Sequence, residues 1–101
     1  MQYHFKDFNG CLNQPFTLEL NNSELNDSST CPLKLISVDK HPGSAKTGDH
    51  EAFSVVFRGD SKLTLEQQIY RIKHDTLGDM ELFIVPIGPD NKGMCYEAVF
   101  S

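Results

Sequence analysis

Turn-forming residues cut this 101-residue chain into short apolar runs, and no segment sustains the 3.6-residue periodicity of a long helix. A chain punctuated in this way must bury its apolar side chains from strands, so a mainly β fold is expected. Phe16-Thr17-Leu18-Glu19-Leu20 alternates apolar and polar with period two, and the polar segment Asn21 to Thr30 reads as the loop that follows it. Pro32 to Val38 alternates again, with Leu33, Leu35 and Ser37 on one face and Lys34, Ile36 and Val38 on the other, so both faces are partly apolar. Asp39 to Glu51 reads as the longest loop, and Phe53, Val55 and Phe57 then alternate with Ser54, Val56 and Arg58 in another strand.

Leu63 to Ile72 carries two patterns. Leu65, Ile69 and Ile72 suit a helix, whereas Ile69-Tyr70-Arg71-Ile72 is rich in strand formers, and the surrounding strands favour the second reading. Met80 to Ile87 is a nearly continuous apolar run closed by Gly88-Pro89. Met94 to Phe100 follows, so the two form a hairpin through a loop from Gly88 to Gly93. If Ile69 to His74 pairs with the same run through Asp75 to Asp79, two consecutive hairpins make a meander that needs a second layer over its apolar face. At the N-terminus, Phe5, Phe8 and Leu12 fall on one face of a short helix spanning Tyr3 to Leu12, with Gly10 near its end. The expected architecture is a single domain over residues 1–101, a small antiparallel β-barrel or sandwich of about six strands with a short N-terminal helix.

Charge and leader signals narrow the function classes. Fourteen acidic against nine basic residues give a net charge of −5, with no Lys/Arg cluster to neutralise phosphates, so nucleic acid is not an expected partner. The start, Met1-Gln2-Tyr3-His4-Phe5-Lys6, lacks a secretory signal, and no run approaches the length of a membrane span, so a cytoplasmic protein without a membrane partner is expected. Cys11, Cys31 and Cys95 are odd in number and widely spaced, which fits buried free thiols better than a disulfide framework.

The four histidines, His4, His41, His50 and His74, have no ligand spacing among themselves or with the cysteines, and His50-Glu51-Ala52-Phe53 has Ser54 where a zincin helix needs its second His. Cys95 and His74 would meet only if their strands are neighbours; otherwise they are a small buried residue and a turn residue. Glu97 falls on the face opposite Tyr96, Ala98 and Phe100, where an ion pair with Arg58 or Arg71 is the simpler reading than a catalytic acid. Arg58-Gly59-Asp60 spells an adhesion tripeptide but fits an ordinary β-turn. The dispersed glycines form no phosphate-binding loop. No catalytic, cofactor-binding or metal-binding residue is therefore assigned, and no cofactor is expected.

From Phe53 onward five stretches stand out: Phe53 to Gly59, Leu65-Glu66-Gln67-Gln68-Ile69-Tyr70, His74-Asp75-Thr76-Leu77-Gly78, Leu82-Phe83-Ile84-Val85-Pro86 and Tyr96-Glu97-Ala98-Val99-Phe100. In these the chain resembles a small bacterial domain family of unknown function. Phe5, Gly10 and Phe16 fit the same family's opening. The resemblance implies a short stand-alone domain encoded near phage-tail-collar-like proteins, and it carries over no catalytic residues. The leading expectation is a non-enzymatic protein-interaction or assembly module, its partner a phage-tail-collar-like neighbour or a second copy of itself. The alternative is a small-ligand-binding β-barrel lined by Phe, Tyr and Met.

Overall fold

The computed structural model describes residues 3–22, 27–40, 52–60 and 64–100. Among these residues are one short helix, α1 (Phe5–Asn9), and six strands: β1 (Pro15–Asn22), β2 (Asp27–Lys40), β3 (Phe53–Gly59), β4 (Gln68–His74), β5 (Gly78–Pro89) and β6 (Met94–Phe100). The strands are antiparallel and close into a barrel in the order β1-β2-β3-β6-β5-β4. Closure is completed by β1 and β4 over Thr17↔Lys73, Leu18↔Ile72 and Glu19↔Arg71. Closing the sheet on itself buries one face without a second layer, which is how a chain without long helices meets the need for a core.

Period-two alternation sets which side chains enter the barrel. Phe16 and Leu18 from β1, Phe53, Val55 and Phe57 from β3, Ile72 from β4, Ile84 from β5 and Tyr96 from β6 are all almost fully buried. The stretch at Leu63 to Ile72 resolves as the strand its context favours, with β4 beginning at Gln68; residues 61–63 lie outside the described residues. The β4-β5-β6 meander forms as expected, with His74 opposite Gly78 at the first turn.

β2 corrects the two-faced reading of Pro32 to Val38. A register shift between Leu35 and Ser37 inserts one extra residue, so the alternation changes phase and Val38 pairs with the inward Val55. Leu33, Leu35 and Val38 thereby all reach the core side, while Ser37 pairs with the outward Val56 and turns its hydroxyl to Asp39.

Two predicted loops are shorter than expected. β1 and β2 stay paired through Asn21↔Ser28 and Asn22↔Asp27, because the ladder is made of main-chain hydrogen bonds that polar residues also supply. The polar segment Asn21 to Thr30 is thus mostly strand. The predicted Gly88 to Gly93 loop reduces to Asp90–Gly93, since a second register shift between Pro86 and Gly88 lets β5 continue through Gly88, whose φ of 114° suits glycine alone. Most of the Asp39 to Glu51 loop lies outside the described residues; Asp39 and Lys40 belong to β2.

α1 closes one end of the barrel. The His4 main-chain N–H donates to Asp7 Oδ2 at 3.0 Å, capping the first turn, and Gly10 stands at the C-cap. Phe8 is fully buried and inserts among Phe16, Phe53 and Phe100, with ring centroids 5.1 to 6.4 Å apart. Leu12, expected on the same helical face, lies past the helix end and is exposed. At the other end Leu65 enters the core, its main-chain N–H donating to Tyr96 Oη at 2.9 Å. Among the described residues no helix is long and apolar enough to cross a membrane.

Candidate functional site

The strand directions place the residues with chemical potential. β4 ends, β5 begins and β6 ends beside α1, whereas β3 ends and β6 begins at the opposite end. His74 therefore sits at the α1 end, opposite Gly78, and Cys95 at the far end, opposite Arg58 and Gly88. They do not form a thiol–imidazole pair.

His74 is committed to structure. Its Nδ1 accepts the main-chain N–H groups of Thr76 and Leu77 at 3.0 and 3.1 Å, which leaves the ring proton on Nε2 to donate to Gln14 Oε1 at 2.7 Å. The ring also lies 4.4 Å from that of Phe16. One imidazole thus shapes the β4–β5 turn and ties it to the segment leading into β1.

Cys95 is buried, yet it belongs to the outer face of the barrel and not to the core. Arg58, its cross-strand partner, donates through Nε and Nη2 to Asp90 Oδ2, while Asp90 Oδ1 accepts the N–H groups of Lys92 and Gly93. The guanidinium, followed by those two N–H groups, holds the Asp90 carboxyl far below the usual carboxylate range. Burial pushes the Cys95 thiol up, as it does for Cys11 and Cys31, and all three cysteines are free. Raised thiols are poor nucleophiles.

The Arg58-Gly59-Asp60 tripeptide is not the predicted turn. Arg58 and Gly59 are the last residues of β3, and Arg58 is engaged by Asp90. Gly59 sits in a tight place: Leu33 Cδ2 lies 3.0 Å from where a Cβ would stand, so that side chain would have to give way, and the Gly59 carbonyl oxygen lies against Gly93.

Two open clefts of about 510 and 480 Å³ lie beside the outward residues of β1, β4 and β5. Their walls are cross-strand charge rows, Glu19↔Arg71↔Glu81 and Thr17↔Lys73↔Asp79. Lys73 Nζ lies 2.8 Å from Glu19 Oε1, and that hydrogen bond lowers the Glu19 carboxyl and raises the Lys73 amine. The rows satisfy one another as a solvated face does. No group of three or more metal-ligating side chains occurs among the described residues, and His41, His50 and Glu51 lie outside them.

The outer face of β4, β5 and β6 differs. Ile69 is 64% exposed, Phe83 50%, Ile87 52% and Val99 57%. Ile69 and Phe83 are direct cross-strand partners, and Val85, half-buried on the same face, pairs with Glu97. Glu97 points outward as alternation predicts, but the ion pair expected for it is not there. Arg58 is taken by Asp90, and Arg71 belongs to β4, with β5 standing between it and β6. The outward apolar residues were the feature missed in the sequence. Its signal was the unbroken run from Leu82 to Ile87, which is apolar at outward as well as inward positions.

The chain belongs to the family described as Domain of unknown function (DUF6916), whose profile matches residues 3–100. No curated protein and no solved structure matches it.

Proposed function

We propose that this member of the family is a non-enzymatic protein-interaction or assembly module that docks a protein partner on the outer face of β4, β5 and β6. One observation carries the reading: four large apolar side chains, Ile69, Phe83, Ile87 and Val99, stand at least half exposed on one side of a closed barrel. Water-exposed apolar residues gathered on one face are a cost that a docking partner removes. The separation of His74 from Cys95, and the engagement of Arg58 with Asp90, favour a scaffold over a catalyst. The genomic setting implied by the resemblance, near phage-tail-collar-like proteins, supplies the partner class to test first.

Ligand binding inside the barrel has less support, because Phe8, Phe16, Phe53 and Phe57 pack ring against ring in the interior and Tyr96 is almost fully buried there. The test is size-exclusion chromatography with light scattering of the protein alone and mixed with the products of adjacent genes. A complex or oligomer that forms with the wild type and is lost in Phe83→Ser supports the reading. A protein that stays monomeric with every such product overturns it.

A further inference from the structure

Glu97 stands at the middle of that apolar face. Its cross-strand neighbours are Val56 on β3 and Val85 on β5, about 5 Å away, and its neighbours along β6 on the same side are Cys95 and Val99, about 7 Å away. Among the described residues no cation pairs with it, and it is half-buried. A carboxylate in that position is satisfied by water while the face is bare. A partner that covers Phe83, Ile87 and Val99 also covers Glu97 and strips that water away, leaving a desolvated charge unless the partner supplies the opposite one.

We propose that Glu97 is the acceptor for an arginine or lysine side chain of the docked protein, so that the partner surface has a cation set among apolar residues. The inference rests on the interaction reading above and names the chemistry of its partner. A second copy of this chain is a poor occupant. The chain carries a net charge of −5, and a second copy docked face to face would bring its own Glu97 to the same apolar surface, so two copies bring like charges together. The same carboxylate gives selectivity: an apolar surface without a cation would bury Glu97 uncompensated and be rejected. The planar guanidinium of arginine can donate two parallel hydrogen bonds to it, which favours arginine over lysine.

The probe is a displayed library of random short peptides, panned on the full chain. Enriched sequences are expected to carry an Arg or Lys flanked by apolar residues. Synthesised peptides of that kind should lose roughly thirtyfold or more in affinity for Glu97→Gln, an isosteric change that removes only the charge, and a similar factor for Phe83→Ser. Equal binding to wild type and Glu97→Gln, enrichment of cation-free sequences, or no enrichment overturns the assignment. If Phe83→Ser weakens binding and Glu97→Gln does not, the charge assignment falls and the docking face stands. If neither variant changes binding, both fall. A dimer of the wild type that dissociates in Phe83→Ser makes a second copy the occupant and overturns the cationic partner alone.

Discussion

The Asp90 carboxylate accepts Arg58 Nε at 2.8 Å and Arg58 Nη2 on the same oxygen, fastening the turn between β5 and β6 to the end of β3. It also accepts two main-chain N–H groups of its own turn through the other oxygen. One side chain thus shapes the turn and docks it, and Cys95 lies buried beside the pair.

Removing that carboxylate should release both. Asp90→Ala is expected to lower the melting temperature and to speed reaction of Cys95 with a thiol reagent, followed in a Cys11→Ala, Cys31→Ala background. Unchanged labelling would show that the strands alone shield Cys95. The pH dependence has a definite sign. Because the folded carboxyl is depressed, its contribution is fully present above the unfolded value of about 3.9 and is lost as pH falls below it. Urea unfolding between neutral pH and pH about 3 should therefore show the gap between wild type and Asp90→Asn narrowing as acid is added.

His74→Ala should destabilise the barrel by about 1 to 3 kcal/mol, because two main-chain N–H groups of the β4–β5 turn lose their acceptor. His74→Asn offers a side-chain oxygen to the same turn and should recover part of that loss. Chemical denaturation of both variants measures it, and equal losses would assign the effect to the packing of the ring against Phe16 instead.

Phe8→Ala is expected to cost about 3 to 5 kcal/mol, since Phe8 is fully buried among the rings of Tyr3, Phe16, Phe53 and Phe100 at the barrel end. The main chain from Tyr3 to Leu12 makes no described hydrogen bond to a strand; the first is Asn13 N–H to Leu35 O at 2.7 Å. Hydrogen exchange should therefore find α1 the first segment to open, and opening only with global unfolding would contradict this.

Two glycines separate space from backbone freedom. At Gly93 a Cβ would stand 2.1 Å from the Gly59 carbonyl oxygen, so Gly93→Ala must displace β3 or the turn. At Gly78 a Cβ meets nothing, but φ is 78°, so Gly78→Ala pays only left-handed strain of about 1 kcal/mol. Comparing soluble yield and unfolding midpoint should rank Gly93→Ala far below Gly78→Ala.

Strands β1 and β3 were legible because each has one buried face, and period-two alternation writes burial directly into sequence: Phe16 and Leu18, Phe53 and Phe57. The short helix and its glycine end were legible for the same reason at a different period. β5 was legible as an apolar run closed by Gly88-Pro89, and β6 as its hairpin partner. Beyond the reach of these patterns lay the register shifts after Leu35 and Pro86, which move Val38 inward and lengthen β5, because the first falls on an ordinary strand residue, Ile36, and the Gly88 of the second reads equally well as the start of a turn. The barrel or sandwich of about six strands was legible, but the choice between them was not, since β1 and β4, which close the barrel, are distant in sequence and meet over three residue pairs. The candidate face was decided there too. Alternation alone put Glu97 outward, but only the strand order β3-β6-β5-β4 put Val56 and Val85 on either side of it, gave Arg58 to Asp90, and left Arg71 a strand too far away, because the pairing of charges depends on which strands become neighbours and not on where residues stand along the chain.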